Sequence, residues 1–321
     1  MFRIQEYLVH LEKNAKHQVG ATATEFAVIS AKKTLTRVLK LEEPYNYYGI
    51  KQINKVFVSE TINTTFDGHD DRNIKTIYDT LMRRNEKFCI LHTTSKLKIV
   101  HANIMTKLRS MYSNMTIFTY NGNGSFLMCD NEYDIDNLFK WCKGSQIKRK
   151  IDSRGKYLYI SKSIKLGDIM SEISSHKRIC IISGHLASRG LSFVSNDYSL
   201  HLTDQYYNPS KNVHGEALLQ GIRLFGCYND NPNLVLWITK YNWSQIKEQH
   251  RLLGLYIEKV KNSNCIKESM EKIETIFPNK LLSRPGIMSG IHRGVTKDGY
   301  MKLKITDMYD YNNINNETIN E

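Results

Sequence analysis

Arg178-Ile179-Cys180-Ile181-Ile182-Ser183-Gly184 is apolar at every position between its arginine and its serine, and Leu234-Val235-Leu236-Trp237-Ile238 repeats the pattern. A strand of this kind has no solvent face, as expected in a parallel sheet covered by helices on both sides. Outward from these two stretches, segments with helical spacing alternate with short apolar runs. The spacing predicts helices over 74–84, 99–112, 135–142, 165–174 and 213–225, and strands over 88–92, 115–120, 157–161, 178–183, 198–203 and 234–239. Asn121-Gly122-Asn123-Gly124 reads as a turn. The fold class expected for residues 50–245 is therefore α/β, a doubly wound and mostly parallel sheet.

On the N-terminal side, 4–16 has helical spacing and Val19 to Ile29 is small and β-capable, like a strand leaving a sheet. The irregular stretch 33–66, with its tyrosine-rich Pro44-Tyr45-Asn46-Tyr47-Tyr48-Gly49, reads as a connection between two units. Beyond the sheet region, 243–261 reads as a helix, 287–306 as a short β-like unit and the asparagine-rich end from Tyr309 as a frayed tail.

The 321 residues are 41% apolar and 24% charged, a globular balance that excludes a collagen-like or wholly disordered chain. Lysine and arginine number 45 against 32 acidic residues, a formal charge of +13. Such an excess suits a polyanionic partner, although an A·T-rich coding sequence also enriches lysine and asparagine. No run approaches the ~18 apolar residues that mark a membrane span, and Arg3, Glu6, His10, Glu12 and Lys13 interrupt the start. The expectation is an intracellular protein with no membrane partner. Cys89, Cys129, Cys142, Cys180, Cys227 and Cys265 contain no C-x-x-C pair and read as reduced core thiols.

Four short segments carry the functional signal. They are Gly20-Ala21-Thr22-Ala23-Thr24, then Ile90-Leu91-His92-Thr93-Thr94-Ser95, then Ser183-Gly184-His185-Leu186-Ala187-Ser188-Arg189-Gly190-Leu191-Ser192-Phe193, then Gln220-Gly221-Ile222-Arg223-Leu224-Phe225-Gly226. In their order and spacing they resemble motifs III, IV, V and VI of the superfamily 2 helicases. The resemblance implies a RecA-like sheet for 50–245, with 1–49 as the remnant of a first RecA-like domain and its linker and 246–321 as an extension. It also implies ATP with Mg²⁺ as cofactor and nucleic acid as partner.

Carried over residue by residue, the resemblance makes Arg223 the arginine finger that spreads transition-state charge on a γ-phosphate. Gln220, three residues earlier on the same helix face, would hydrogen-bond the phosphates or the attacking water. Arg189 and Gly190 would join them at ATP, and Ser188 would meet nucleic acid from the same loop. Ser192 departs from the family's commonest pattern, which has Asp there; the Arg-Gly-Leu-Ser/Thr form also occurs. Thr93, Thr94 and Ser95 would take a nucleic-acid phosphate through hydroxyls and free amides, and would equally cap a helix with no ligand. Thr22 and Thr24 would couple nucleotide state to strand binding. Each segment alone also fits an ordinary surface helix, turn or cap.

Other candidates are weaker. His214-Gly215-Glu216 has the H-x-E spacing of zinc deaminases without the following P-C-x-x-C, so no metal site is expected. Asp130 to Asp136 is acidic but lacks the glycine and terminal glutamate of a calcium loop. Lys148-Arg149-Lys150 is a basic stretch that is either solvated or in contact with phosphates.

The sequence contains no Gly-Lys-Ser/Thr phosphate loop; its Gly155-Lys156 is followed by Tyr157 and precedes a strand. It thus looks like the back half of a helicase. Three readings follow: a split enzyme whose Walker A/B domain comes from another polypeptide or segment, a non-catalytic nucleic-acid-binding module, or a degenerate fragment. The joint presence of Gln220, Arg223, Arg189 and Gly190 favours the first.

Overall fold

A computed structural model describes residues 43–60, 71–94, 98–121, 124–142, 144–152, 155–184, 191–209, 216–230 and 232–261. The chain divides into two compact units, and nearly all described residues belong to the larger, Leu39–Leu255 with Asn279–Ser289. Its elements in chain order are β1 (Tyr47–Tyr48), β2 (Asn54–Val58), α1 (Asp71–Met82), β3 (Phe88–Thr93), α2 (Lys98–Met111), β4 (Thr116–Asn121) and β5 (Gly124–Met128). A 3₁₀ turn (Ile135–Asn137), β6 (Ile147–Asp152), β7 (Gly155–Ile160), α3 (Leu166–Glu172) and β8 (Arg178–Ser183) follow. The last are β9 (Asp204–Tyr206), α4 (Glu216–Gln220), β10 (Gly226–Cys227), β11 (Val235–Thr239) and α5 (Lys240–Lys261).

The result is an α/β fold around a nine-stranded, mostly parallel sheet. Strands β2, β11, β9, β3, β8 and β4 lie side by side in that order and all run parallel. From β4 the sheet continues antiparallel through β5 and β7 to the edge strand β6. β1 and β10 form a separate antiparallel pair.

Burial follows from the two-faced apolar runs. Every residue of β3, β9 and β11 is buried, and β8 is buried except at Arg178. On one face Ile74, Ile77, Tyr78 and Leu81 of α1, recurring at helical spacing, join Ile104 and Leu108 of α2 over Phe88, Ile90, Ile182 and Trp237. On the other face Leu166, Ile169, Met170 and Ile173 pack on Cys89, Leu91, Ile181 and Leu236. Each such side chain removed from water contributes about 1.5–3 kcal/mol. A one-residue slip would exchange the two sets, so register is fixed by both cores. No described helix is long and apolar enough to cross a membrane.

Several expected elements change. The helix expected over 135–142 shrinks to the 3₁₀ turn, because Phe139 is buried with φ 56° and its N–H goes to Glu172 Oε1 at 2.6 Å. The strand expected over 198–203 begins only at Asp204; before it, Ser195 Oγ donates to Asp197 Oδ1 at 2.6 Å and Tyr198 turns the chain at φ 62°. The helix expected over 213–225 is α4 alone and ends at Gln220. The stretch read as connection contains an edge strand, β2, and β5 and β6 were not anticipated. Cys89, Cys129 and Cys180 are buried as expected, and burial pushes the Cys129 and Cys180 thiols up to about 12. Cys227 instead lies exposed on β10, and Cys265 lies outside the described residues.

Candidate active site at the carboxyl ends of the strands

Chain direction creates a crevice. After β3 the chain crosses through α2 toward β4, whereas after β9 it crosses through α4 toward β11, on the opposite side of the sheet. Adjacent strands whose connections leave in opposite directions open a switch point beyond their carboxyl ends, where ligands of open α/β sheets bind. Thr93 ends β3 and Tyr206 ends β9 at that point.

Gln205 holds the crevice together. It is fully buried on β9, and its amide donates to Gly221 O at 2.8 Å and to Thr93 Oγ1 at 3.2 Å. Its carbonyl accepts the Arg223 backbone N–H at 2.7 Å. One side chain thereby joins β9, the end of β3 and the turn after α4. Tyr207, also buried, donates to Leu218 O at 3.0 Å, and its ring crosses directly under Gly221. A Cβ at that glycine would overlap the phenol, so the close approach requires Gly.

Arg223 therefore sits in a bracketed turn, not on the helix face expected from its spacing with Gln220. Its guanidinium donates to Gln220 O at 3.4 Å and to Leu191 O, the first described residue after the loop carrying Arg189 and Gly190. Its Nε is buried with no hydrogen-bond partner among the described residues. Burial lowers the Arg223 pKa from its ordinary value, and an arginine so shifted remains a cation at neutral pH. The Gln220 side-chain amide is half-buried and makes no hydrogen bond among the described residues.

Thr93 and Thr94 differ from their expected surroundings. The Thr93 hydroxyl is 7% exposed and engaged by Gln205, and the Thr94 amide, expected to be free, donates to Ser183 O at 2.9 Å. Ser95, Ser188, Arg189, Gly190, Thr22 and Thr24 lie outside the described residues. In the tyrosine-rich segment Tyr45 is wholly exposed, whereas Tyr48 packs edge-on against Tyr228 with centroids 5.4 Å apart. The acidic stretch around Asp130 is internally satisfied: Asp130 Oδ1 accepts from Glu132 N, Asp134 caps the 3₁₀ turn, and Asp136 pairs with Lys156 and Arg149.

Sequence reasoning singled out Arg223 and Gln220 and passed over Gln205 and Tyr207. The available signal was a glutamine inside the strand-like Thr203-Asp204-Gln205-Tyr206-Tyr207 run, since a buried amide needs partners on both its atoms. No protein-family model, curated protein or solved structure matches the chain.

Proposed function

We propose that the chain is the C-terminal, RecA-like half of an ATP-dependent superfamily 2 helicase or translocase acting on nucleic acid. It contributes the arginine finger and strand-binding loops, and a phosphate-loop domain comes from another chain or segment. The observation that carries this reading is the placement of Arg223: a cation bracketed by Gln205 at the switch point, beside the segment leading out of Arg189 and Gly190. The buried Nε fits the γ-phosphate end of a nucleotide, because it is a charged donor without an acceptor among the described residues. Arg223 and Gln220, with Arg189 and Gly190, would hold that end; ATP with Mg²⁺ supplies the phosphoryl group transferred to water. Arg223 would stabilise charge there, and Gln220 would orient the water.

A second reading, a non-catalytic strand-binding module, is favoured by one feature. The terminal nitrogens of Arg223 already meet two backbone carbonyls, as in a structural brace.

Hydrolysis separates the two. Mixed with a polypeptide bearing a Gly-Lys-Ser/Thr loop and an Asp-Glu pair, sought first in the coding sequence upstream, the chain supports ATP hydrolysis. Arg223→Ala lowers that rate about 10³-fold or more. Hydrolysis unaffected by Arg223→Ala, or none with any such partner, rejects the enzymatic reading.

A further inference from the structure

The antiparallel end of the sheet carries a surface that the nucleotide crevice does not use. Strand register places His92, Ile182, Thr119, Phe126, Tyr159 and Lys148 in one row running from β3 to the edge strand β6. Cross-strand partners share a face, so Phe126 and Tyr159 lie on one face with Lys148. Lys150, opposite Tyr157, lies on that face too. The row sits one residue inside the edge formed by Thr93, Ser183 and Tyr120, the carboxyl edge of the parallel strands. Thr93 and Gln205, on the face of Leu91, belong to the opposite side of the sheet from this row.

Aromatic rings and exposed cations meet on this face. Phe126 lies 5.5 Å from Tyr159 and 5.9 Å from Tyr157, centroid to centroid, so three rings adjoin across β5 and β7. Gly124, at φ 121°, makes room for the Tyr159 ring, whose edge would lie 3.1 Å from a Cβ there. Phe126 and Tyr159 are half-buried, and Lys148 and Lys150 are exposed. On the opposite face Arg149 and Lys156 both pair with Asp136. Lys148 and Lys150 have no acidic partner among the described residues. α2, the helix on the aromatic side, packs chiefly on β4 and β8.

We propose that this face binds single-stranded nucleic acid: bases stack on Tyr159 and Phe126, and phosphates meet Lys148 and Lys150. Rings that accept any base beside a basic track are the chemistry of sequence-tolerant single-strand binding. In the row His92, Ile182 and Thr119 are buried, so the open part spans β5, β7 and β6, about 10 Å at the ~4.8 Å strand spacing. Lysines on an edge strand also discourage pairing with another sheet, and the test separates that role from binding. The inference rests on the nucleic-acid partner of the reading above, not on its nucleotide chemistry.

The test is titration of labelled oligothymidylate with the full chain at several salt concentrations, without nucleotide. The wild type binds with a salt-dependent affinity. Lys148→Gln with Lys150→Gln lowers the slope of log affinity against log salt by about 1.4, at ~0.7 per lost single-strand phosphate contact. Tyr159→Leu weakens binding roughly 5- to 150-fold, whereas Tyr159→Phe, which keeps the π-face, stays within about threefold of wild type. Lysine and Tyr159→Leu variants that stay folded and bind with unchanged affinity and slope overturn the proposal and leave the hydrolysis reading to its own assay. Absence of wild-type binding at low salt overturns it as well. A lysine variant that only self-associates, with strand affinity unchanged for the monomer, assigns the lysines to edge protection and likewise overturns it.

Discussion

Replacing Gln205 by leucine tests whether one side chain holds the crevice together. The two side chains are similar in volume, so the change removes polar atoms with little alteration of packing. Three hydrogen bonds disappear, to Gly221 O, Thr93 Oγ1 and the Arg223 N–H. Each contributes about 1 kcal/mol net, and a buried group left without a partner costs about 1–3 kcal/mol. Gly221 is buried and Arg223 half-buried, so water reaches their backbone groups poorly. Added apolar burial offsets about 1 kcal/mol, leaving a destabilisation of about 3–4 kcal/mol. Urea unfolding followed by fluorescence reads this directly, since Trp237 and Trp243 are both buried in the unit. A lowered midpoint at constant slope is the expected result. Gln205→Glu adds a pH arm. A carboxylate there still accepts from Arg223 but cannot donate to Gly221 or Thr93, and burial raises its pKa above the ~4.3 of an unfolded chain. That variant is most stable below the unfolded value and loses stability as pH rises through the folded one, a trend absent from Gln205→Leu. A loss below about 1 kcal/mol for Gln205→Leu, or a pH-independent deficit for Gln205→Glu, would refute the reasoning.

Two further outcomes test other buried polar groups of the sheet. Arg84→Met strands Asp204, a fully buried carboxyl that Arg84 pairs at 2.9 Å and that Trp237 and Thr203 also contact. The expected loss is about 3–5 kcal/mol at neutral pH. Burial already holds the Asp204 carboxyl above the usual carboxylate range, and losing the cation raises it further, so the variant's deficit in urea midpoint grows with pH; a deficit constant across pH contradicts this. His176 is buried, stacked on Tyr133 at 3.7 Å and bonded to Thr116 Oγ1 at 2.9 Å, and burial holds it down at about 4. The unfolded chain gains this proton first, so stability is full above pH ~6.5 and falls by up to about 3 kcal/mol toward the folded value. His176→Phe keeps the stack and removes that slope, and a variant with the wild-type slope would exclude His176 as its source.

What could be read from the sequence followed the range of the forces involved. The strands at 178–183 and 234–239 were legible because each is apolar on both faces within five or six consecutive residues, and only a covered parallel sheet absorbs such a run. α1 and α2 were legible for the same local reason, their apolar residues recurring every three or four positions. β2 and β6 were not. As sheet edges they are largely exposed: β6 is mostly charged, and β2 has only the three-residue apolar run Val56-Phe57-Val58, buried at Val58 alone, too short to mark a strand. The 135–142 segment misled because its helical spacing is real, yet Glu172, 33 residues away, captures the Phe139 amide and stops the helix.

The crevice divides along the same line. Arg223 and Gln220 could be picked out because their chemistry is carried by residue type and close spacing. Their geometry could not, because it is set by partners 16, 18 and 112 residues apart that meet only through Gln205. Spacing alone put Arg223 on a helix face; the Tyr207 ring under Gly221 ends that helix at Gln220 and turns the arginine toward Leu191. The glycine of the Gln-Gly-Ile-Arg segment therefore sets the arginine's placement, since without the close approach at Gly221 the guanidinium would project from the helix instead of reaching Leu191 O.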